Sequence, residues 1–259
     1  MTRELDSILY ELDGRVAYLT MSFAPHNLID KPLLDAIVSG LQRAHREGAR
    51  AIVLRSNLRH FSAGAELSLF DDKGKRLHNV ELLPYLDTIE GLPAPLIASV
   101  HGVALGGGLE LALACDIIVA ADSARFGMVE MTLGLHPLMG GIQRVAARAG
   151  LARAKWMAMF GRRFDAATLQ SWGVINCVVP EGRLAELTST LAEELAAGPT
   201  VAHAATKKLL TVYSSSGLKA SDTAMAELQR PIFESEDLSR GLKAFRENNG
   251  PGHAVFEGR

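Results

Sequence analysis

The sequence has 259 residues, of which 48% are hydrophobic and 22% charged, with a formal net charge of −2 at pH 7. This is the composition of a globular protein of one large or two small domains, and it excludes disordered and collagen-like chains. The near-neutral charge offers no broad basic surface, so we expect neither nucleic acid nor a membrane as a partner. Cys115 and Cys177 lie in apolar runs without metal-ligand spacing, which predicts reduced, buried thiols. With no convincing membrane span, we expect a cytoplasmic protein.

The first part of the chain predicts short strands that alternate with helices. Asp-Gly at residues 13–14 separates two apolar runs, which indicates a β-hairpin. Asp30 is placed to cap a helix that Gly48 ends. Strands are predicted at 8–12, 16–22, 51–54, 96–100, 117–120, 125–127 and 174–179, and helices at 77–90 (with Pro84 as a possible break), 109–114, 140–149, 153–160 and between Asp165 and Gly173.

The last part of the chain predicts helices alone. They are expected at 184–197, 201–213, 221–233 and 237–248. Strands therefore give way to helices near residue 195. We predict an α/β core at 1–195, which holds the functional site, and an all-helical region at 196–259.

Two glycine-containing loops suggest a site made of main-chain amides. The segments Phe-Ser-Ala-Gly-Ala-Glu-Leu at 61–67 and Ala-Leu-Gly-Gly-Gly-Leu-Glu at 104–110 each precede a predicted helix. Free N–H groups at a helix N-terminus bind negative charge, so two facing turns of this kind would form an oxyanion hole. Taken alone, the three glycines fit a flexible or tightly packed loop equally well.

Two glutamates stand in apolar surroundings, Glu110 in Gly-Leu-Glu-Leu-Ala and Glu130 in Gly-Met-Val-Glu-Met. Desolvation raises the pKa of a carboxyl group, and two converging carboxyls titrate as a pair. Such a pair suits acid–base chemistry on water. The alternative for each glutamate is an exposed or salt-bridged position.

In their order along the chain, these segments resemble the enoyl-CoA hydratase/isomerase (crotonase) family, and the resemblance covers nearly the whole sequence. The matching segments are Ser-Ala-Gly-Ala at 62–65, His-Gly-Val-Ala-Leu-Gly-Gly-Gly-Leu-Glu-Leu-Ala at 101–112 with Cys-Asp at 115–116, Arg-Phe-Gly-Met-Val-Glu at 125–130 with Leu-Gly-Leu at 133–135, Gly-Gly-Ile-Gln-Arg at 140–144, and Gly-Val-Ile at 173–175.

The resemblance implies a ClpP-like spiral of β-β-α units with a helical C-terminal region that assembles homotrimers or dimers of trimers. It also implies an acyl-CoA thioester substrate and reversible hydration of a 2-enoyl-CoA. Coenzyme A is then part of the substrate, and no separate cofactor or metal is expected.

Individual roles follow from the same resemblance. The N–H groups of Ala63 and Gly107 are expected to hold the thioester oxygen. Glu110 is expected to orient and deprotonate water, and Glu130 to protonate C2. The presence of both carboxyls favours a hydratase over an isomerase. The other residues expected to contact substrate are Gly64, Ala65, Glu66 and Leu138.

The sequence departs from the family in its Pro-Gly-x-Gly-Gly-Thr segment, where Leu138 replaces a glycine and Ile142 a threonine. Both changes could reshape the acyl pocket. Three alternatives stay open: an enoyl-CoA isomerase, a hydrolase that uses Ser62 with His101, and a non-catalytic acyl-CoA-binding or scaffold protein.

Overall fold

The computed structural model describes residues 7–67 and 82–259. The elements in these ranges are β1 (Ile8–Asp13), β2 (Val16–Met21), α1 (Lys31–Arg46), β3 (Ala51–Ser56), α2 (Leu83–Gly91), β4 (Leu96–Val100), β5 (Val103–Leu105), α3 (Gly107–Leu113), β6 (Ile117–Ala121), β7 (Arg125–Gly127), α4 (Gly141–Ala149), α5 (Leu151–Phe160), β8 (Arg163–Asp165), α6 (Ala166–Ser171), β9 (Cys177–Val179), α7 (Leu184–Ala197), α8 (Thr200–Glu234) and α9 (Glu236–Asn248), with 3₁₀ turns at Glu130–Leu133 and Glu181–Arg183.

The larger sheet in the described ranges has the order β1-β2-β3-β4-β6-β9. Strands β1 and β2 form the predicted antiparallel hairpin, and the other pairings in this sheet are parallel. Parallel strands buried on both faces read as continuous apolar runs, as in Leu-Ile-Ala-Ser-Val of β4. The carboxyl ends of these strands therefore lie along one edge of the sheet, where the loops to β5 and β7 begin.

Helix α1 shows how the local sequence sets the fold. The Asp30 carboxylate accepts a hydrogen bond of 2.8 Å from Leu33 N, and Pro32 lies in the first turn, where its missing N–H costs nothing. The buried face carries Leu33, Ile37 and Leu41, which are fully enclosed. Burying such side chains contributes about 1.5–3 kcal/mol each. The predicted cap and apolar face are confirmed.

A smaller sheet, β5-β7-β8, turns the chain into a spiral. β4 of the large sheet continues into β5 of the small one and then into α3; β6, β7 and α4 repeat the same path. These two successive β-β-α units place the loops before α3 and α4 side by side. Glu130 and Leu138 lie between β7 and α4, and Gly107 and Glu110 lie in the first turn of α3.

The C-terminal helices are tied to the core by Lys207, whose ammonium group lies 2.6 Å from Asp116 Oδ2 and 3.2 Å from the carbonyl oxygen of Ala94. The predicted helices at 201–213 and 221–233 form the single element α8, broken at Gly217, where φ is 81°. Glycine takes this backbone conformation without a steric penalty. The helical character after residue 195 is confirmed, whereas the division into two units stays a prediction.

Some predicted limits are wrong. The predicted strand at 174–179 is reduced to Cys177–Val179, and α2 starts at Leu83 with Pro84 in its first turn. Residues 77–81 of that predicted helix lie outside the described ranges. Among the helices of the described ranges, none is long and apolar enough to cross a membrane.

Candidate active site

The first candidate loop runs beside β5 and is fixed to it by main-chain hydrogen bonds. Ser62 N donates to the carbonyl oxygen of Val103 over 3.1 Å, and Leu105 N donates to the carbonyl oxygen of Ser62 over 3.1 Å. Gly64 has φ +120°, and an added Cβ would lie 3.4 Å from the Leu105 carbonyl oxygen. The space would admit a Cβ, so it is the positive φ, which glycine adopts without strain, that favours glycine at this point of the loop.

The two predicted oxyanion donors differ in whether their amides already have an acceptor in the protein. Gly107 is the first residue of α3, and no described residue accepts a hydrogen bond from its amide. Ala63 N, in contrast, donates to the carbonyl oxygen of His26 over 3.0 Å. Because this amide is already used inside the protein, the prediction of Ala63 as a thioester ligand is wrong.

Ala65 is the residue that the structure brings to Gly107. Ile29 N donates to the Gly64 carbonyl oxygen over 2.8 Å, and Glu66 N donates to the Ile29 carbonyl oxygen over 3.0 Å. In a parallel bridge of this kind, the amide of the residue between the two bonded positions, here Ala65, points away from the partner Ile29. Ala65 N has no acceptor among the described residues and lies 3.8 Å from the position of an added Cβ at Gly107. Two main-chain N–H groups that have no acceptor among the described residues thus lie next to each other.

The remaining predicted substrate contacts are only partly available. Both main-chain groups of Gly64 are used inside the protein, since its amide donates to Ser62 Oγ over 3.3 Å and its carbonyl oxygen accepts from Ile29 N. The Glu66 amide is likewise used by Ile29. Leu138 is 39% exposed, so its side chain is open to a bound molecule.

Glu110 lies on α3, one turn after Gly107, and is only 3% exposed. Its Oε1 accepts hydrogen bonds from Met139 N at 2.7 Å and from Gly141 N at 2.8 Å. Burial raises the pKa of Glu110, and the hydrogen bonds from Gly141 and Met139 oppose that rise. The carboxyl group is therefore held in one orientation at the start of α4.

Glu130 begins the 3₁₀ turn after β7 and faces the loop before α3. An added Cβ at Gly106 would lie 2.9 Å from Glu130 Oε1, so the glycine makes room for the carboxyl group. Its Oε2 is buried without a hydrogen-bond partner in the described structure. Burial raises the pKa of Glu130 to about 7, and the negative charge of Glu110 adds to the rise. The two predicted glutamates therefore share one site and influence each other electrostatically.

The loop that supports Glu110 is held by an ion pair that the sequence did not reveal. Arg144 donates from Nε and Nη2 to the Glu90 carboxylate over 2.7 and 2.6 Å, and from Nη1 to the Gly140 carbonyl oxygen over 3.2 Å. Gly140, with φ +80°, lies between Met139 and Gly141, the two residues whose amides bind Glu110. Arg144 lies four residues after Gly140, which is the only local signal for this contact.

The proposed Ser62–His101 hydrolase pair does not form. Ser62 Oγ is fully buried and donates to the Asn27 carbonyl oxygen over 2.7 Å. His101 Nε2 contacts the carbonyl oxygen of Leu58 at 2.7 Å. Neither side chain is placed for nucleophilic catalysis, so this alternative is wrong. Within residues 7–67 and 82–259, no three His, Cys, Asp or Glu residues are grouped to hold a metal ion.

Solved structures define the class of fold. A crystal structure of an enoyl-CoA hydratase subunit from Geobacillus kaustophilus HTA426 matches with a TM-score of 0.91 at 33% identity, covering 98% of each chain. A putative enoyl-CoA hydratase/isomerase (crotonase) from Legionella pneumophila matches with a TM-score of 0.82 at 32% identity, covering 95% of this chain and 98% of the other. The chain therefore has the crotonase fold, as the resemblance predicted.

Sequence comparisons define the family. The family model described as enoyl-CoA hydratase/isomerase matches residues 11–257. A probable enoyl-CoA hydratase of Rhodobacter capsulatus is 34% identical, with 95% of this chain and 96% of the relative covered. The 2,3-dehydroadipyl-CoA hydratase of Escherichia coli is 32% identical, with 98% and 100% covered. The chain belongs to the enoyl-CoA hydratase/isomerase family.

Proposed function

We propose that this protein is an enoyl-CoA hydratase, which adds water reversibly across the 2,3 double bond of a 2-enoyl-CoA. The observation that carries the proposal is the pairing of Glu110 and Glu130 in one site with two unoccupied main-chain amides. Relatives at about one-third identity that are named as hydratases support it. The substrate is an acyl-CoA thioester, with coenzyme A as part of the substrate.

The amides of Ala65 and Gly107 are proposed to bind the thioester oxygen. Negative charge develops on this oxygen when a nucleophile attacks C3, and preorganised donors stabilise it without reorganising solvent. Losing one such donor typically costs a factor of about 10²–10³ in rate. The polarised carbonyl makes C3 electrophilic.

The two carboxyl groups are proposed to act as the base and the acid in the addition of water. The Glu110 carboxylate orients a water molecule and accepts its proton as the oxygen bonds to C3. Glu130 donates its proton to C2, which receives the electron pair of the former double bond. The product has gained one water molecule, and the Glu110 and Glu130 carboxyls exchange their proton through solvent before the next turnover. In dehydration, every transfer runs backwards.

A turnover experiment separates hydration from isomerisation. The protein is mixed with 2-enoyl- and 3-enoyl-CoA thioesters of several chain lengths in H₂¹⁸O, and the products are analysed by mass spectrometry. A hydratase places ¹⁸O at C3 of a 2-enoyl-CoA. Conversion of a 3-enoyl-CoA without ¹⁸O would instead make the protein an isomerase, and thermal stabilisation by acyl-CoA without turnover would make it a binding protein.

Matched variants show which site is responsible. Glu130→Gln removes the proposed proton donor and is expected to lower the hydration rate by a factor of about 10²–10⁴. Glu194→Gln makes the same chemical change on the exposed side of α7 and is expected to leave the rate unchanged. Equal activity of both variants would contradict the assignment of Glu130.

The assembly is proposed to be a homotrimer or a dimer of trimers, built in the cytoplasm by the helical region 196–259. Large apolar side chains exposed on α8 and α9 support this, among them Phe233 at 71% and Phe245 at 51%. Exposed apolar patches commonly mark interaction surfaces. Native mass spectrometry would test it, and a monomer at micromolar concentration would contradict it.

A further inference from the structure

A single buried side chain lies behind the loop that carries Ala65. Asn27 is 0% exposed and has φ +49°. This backbone conformation is uncommon for a residue with a side chain, although asparagine adopts it more readily than most. Asn27 is distant from the loop in sequence and has no part in the chemistry described above.

The carboxamide of Asn27 uses both its acceptor and its donor. Oδ1 accepts from Phe23 N at 2.8 Å. Nδ2 lies 2.8 Å from Ser56 Oγ, 3.0 Å from the Phe61 carbonyl oxygen and 3.3 Å from the His60 carbonyl oxygen. One side chain therefore connects the segment before α1, the end of β3 and the start of the oxyanion loop. An unpaired polar group at this depth would cost about 1–3 kcal/mol, so each contact resists displacement.

Ser62 continues the connection from Asn27 to the two amides. Its Oγ donates to the Asn27 carbonyl oxygen over 2.7 Å and accepts from Gly64 N at 3.3 Å. The same residue packs against the start of α3, because an added Cβ at Gly108 would lie 2.6 Å from Ser62 Cβ. A displacement of Ser62 would therefore move the Ala65 amide relative to the Gly107 amide.

We propose that Asn27 is a positioning residue that sets the Ala65 amide against the Gly107 amide through Ser62 and the Phe61 carbonyl. This inference rests on the proposed function for its kinetic consequence, but the binding of a thioester oxygen is enough to test its geometry. The chemistry requires an amide: a carboxylate at this place would face the Phe61 and His60 carbonyl oxygens without a proton to share.

Two variants separate the side chain from the backbone. Asn27→Asp keeps the shape and removes the donor. Asn27→Gly keeps the left-handed backbone and its carbonyl oxygen, and removes only the carboxamide. Asn176→Asp is the matched control, because Asn176 is exposed and its Oδ1 accepts from Ile118 N at 2.9 Å, while its Nδ2 has no acceptor among the described residues. Circular dichroism and thermal melting show whether each variant is folded.

The first readout is the infrared carbonyl stretch of bound butyryl-CoA labelled with ¹³C at the thioester carbon. Butyryl-CoA has no double bond to hydrate, so it reports the oxyanion donors alone. In the wild-type protein and in Asn176→Asp, binding should lower the stretching frequency. In Asn27→Asp and Asn27→Gly, most of this shift should be lost. In hydration, the two Asn27 variants should lose a factor of about 10² in kcat with KM within about threefold.

The outcomes discriminate between the two proposals. A folded Asn27 variant with the wild-type carbonyl shift and the wild-type kcat would overturn the role of Asn27. Failure of both variants to fold would also overturn it, since Asn27 would then serve the whole fold. If the wild-type protein shifts the carbonyl stretch but hydrates no 2-enoyl-CoA, the hydratase proposal fails, while the Asn27 variants still test the positioning role.

Discussion

Replacing Glu130 by glutamine should remove both a proton donor and the pH dependence that accompanies it. An ordinary glutamic acid with a pKa of 4.5 is protonated in about one molecule in 300 at pH 7. With a pKa of about 7, Glu130 is protonated in about half of the molecules at that pH. Burial of the carboxyl group is the main cause of this rise. Because hydration uses protonated Glu130 in the proposed mechanism, kcat/KM for hydration should fall about tenfold per pH unit above pH 7. Below pH 7 it should stay constant, down to the pH at which another group limits the rate.

Dehydration should show the same pH dependence of kcat/KM, because hydration takes up and releases no net proton and the ratio of the two kcat/KM values equals a pH-independent equilibrium constant. It begins with protonated Glu110 and ionised Glu130, a pair that carries the same single proton as the pair that starts hydration, so its kcat/KM should also fall above pH 7. The assay follows the conjugated thioester absorbance from both directions between pH 5 and 9, and kcat/KM reports the free enzyme. Glu130→Gln has no ionisable group there and should lose the inflection in both directions.

Two results would refute this reasoning. The first is a Glu130→Gln variant whose hydration rate stays within a few-fold of the wild type. The second is an inflection near pH 7 that persists in the variant, because it would then belong to the substrate or to another residue. Glu194→Gln, measured in parallel, should retain the wild-type profile.

Three further results are expected. Glu130→Gln should melt at a higher temperature than the wild type at pH 8 but not at pH 4. A carboxyl group whose pKa is raised by folding contributes its full stability below the pKa of the unfolded state and loses it as the pH rises through 7. An equal difference in melting temperature at both pH values would contradict this. Arg144→Lys should lower the free energy of unfolding, measured in urea, by about 1 kcal/mol, since lysine cannot reproduce the paired contact with Glu90; an unchanged midpoint and slope would contradict it. Replacing the Ala65 amide by an ester should reduce hydration by a factor of about 10²–10³. The same replacement at Ala63 should chiefly lower stability, and an equal rate loss at both positions would argue against the Ala65 assignment.

Features with a local cause were predicted well from the sequence. The Asp30 cap, the turn at Gly14 and the α3 start at the glycine run each depend on residues within a few positions of one another. The two glutamates were also found, because their apolar neighbours predict burial whatever the fold. The order of the matching segments then supplied the topology, which no local signal contains.

Features that depend on distant contacts were missed or misplaced. Ala63 and Ala65 are the same residue type two positions apart, and the contacts with His26 and Ile29 in the fold show which of the two amides has no acceptor among the described residues. Asn27 meets Phe61, 34 positions further along the chain. Nothing in the sequence near Asn27 distinguishes it from a surface asparagine. Contacts of this kind are fixed by the tertiary path of the chain, so they become visible only in the fold.

The roles proposed for the two carboxyl groups follow from hydrogen-bond donors that the fold supplies unequally. Both are glutamates, and burial raises the pKa of each. Glu110 is given two main-chain N–H groups, which stabilise its ionised form and keep it ready to accept a proton from water. Glu130 Oε2 is enclosed without a donor among the described residues, which favours its protonated form. In the proposed mechanism, two residues of the same type therefore act as base and acid at the same pH because their surroundings differ.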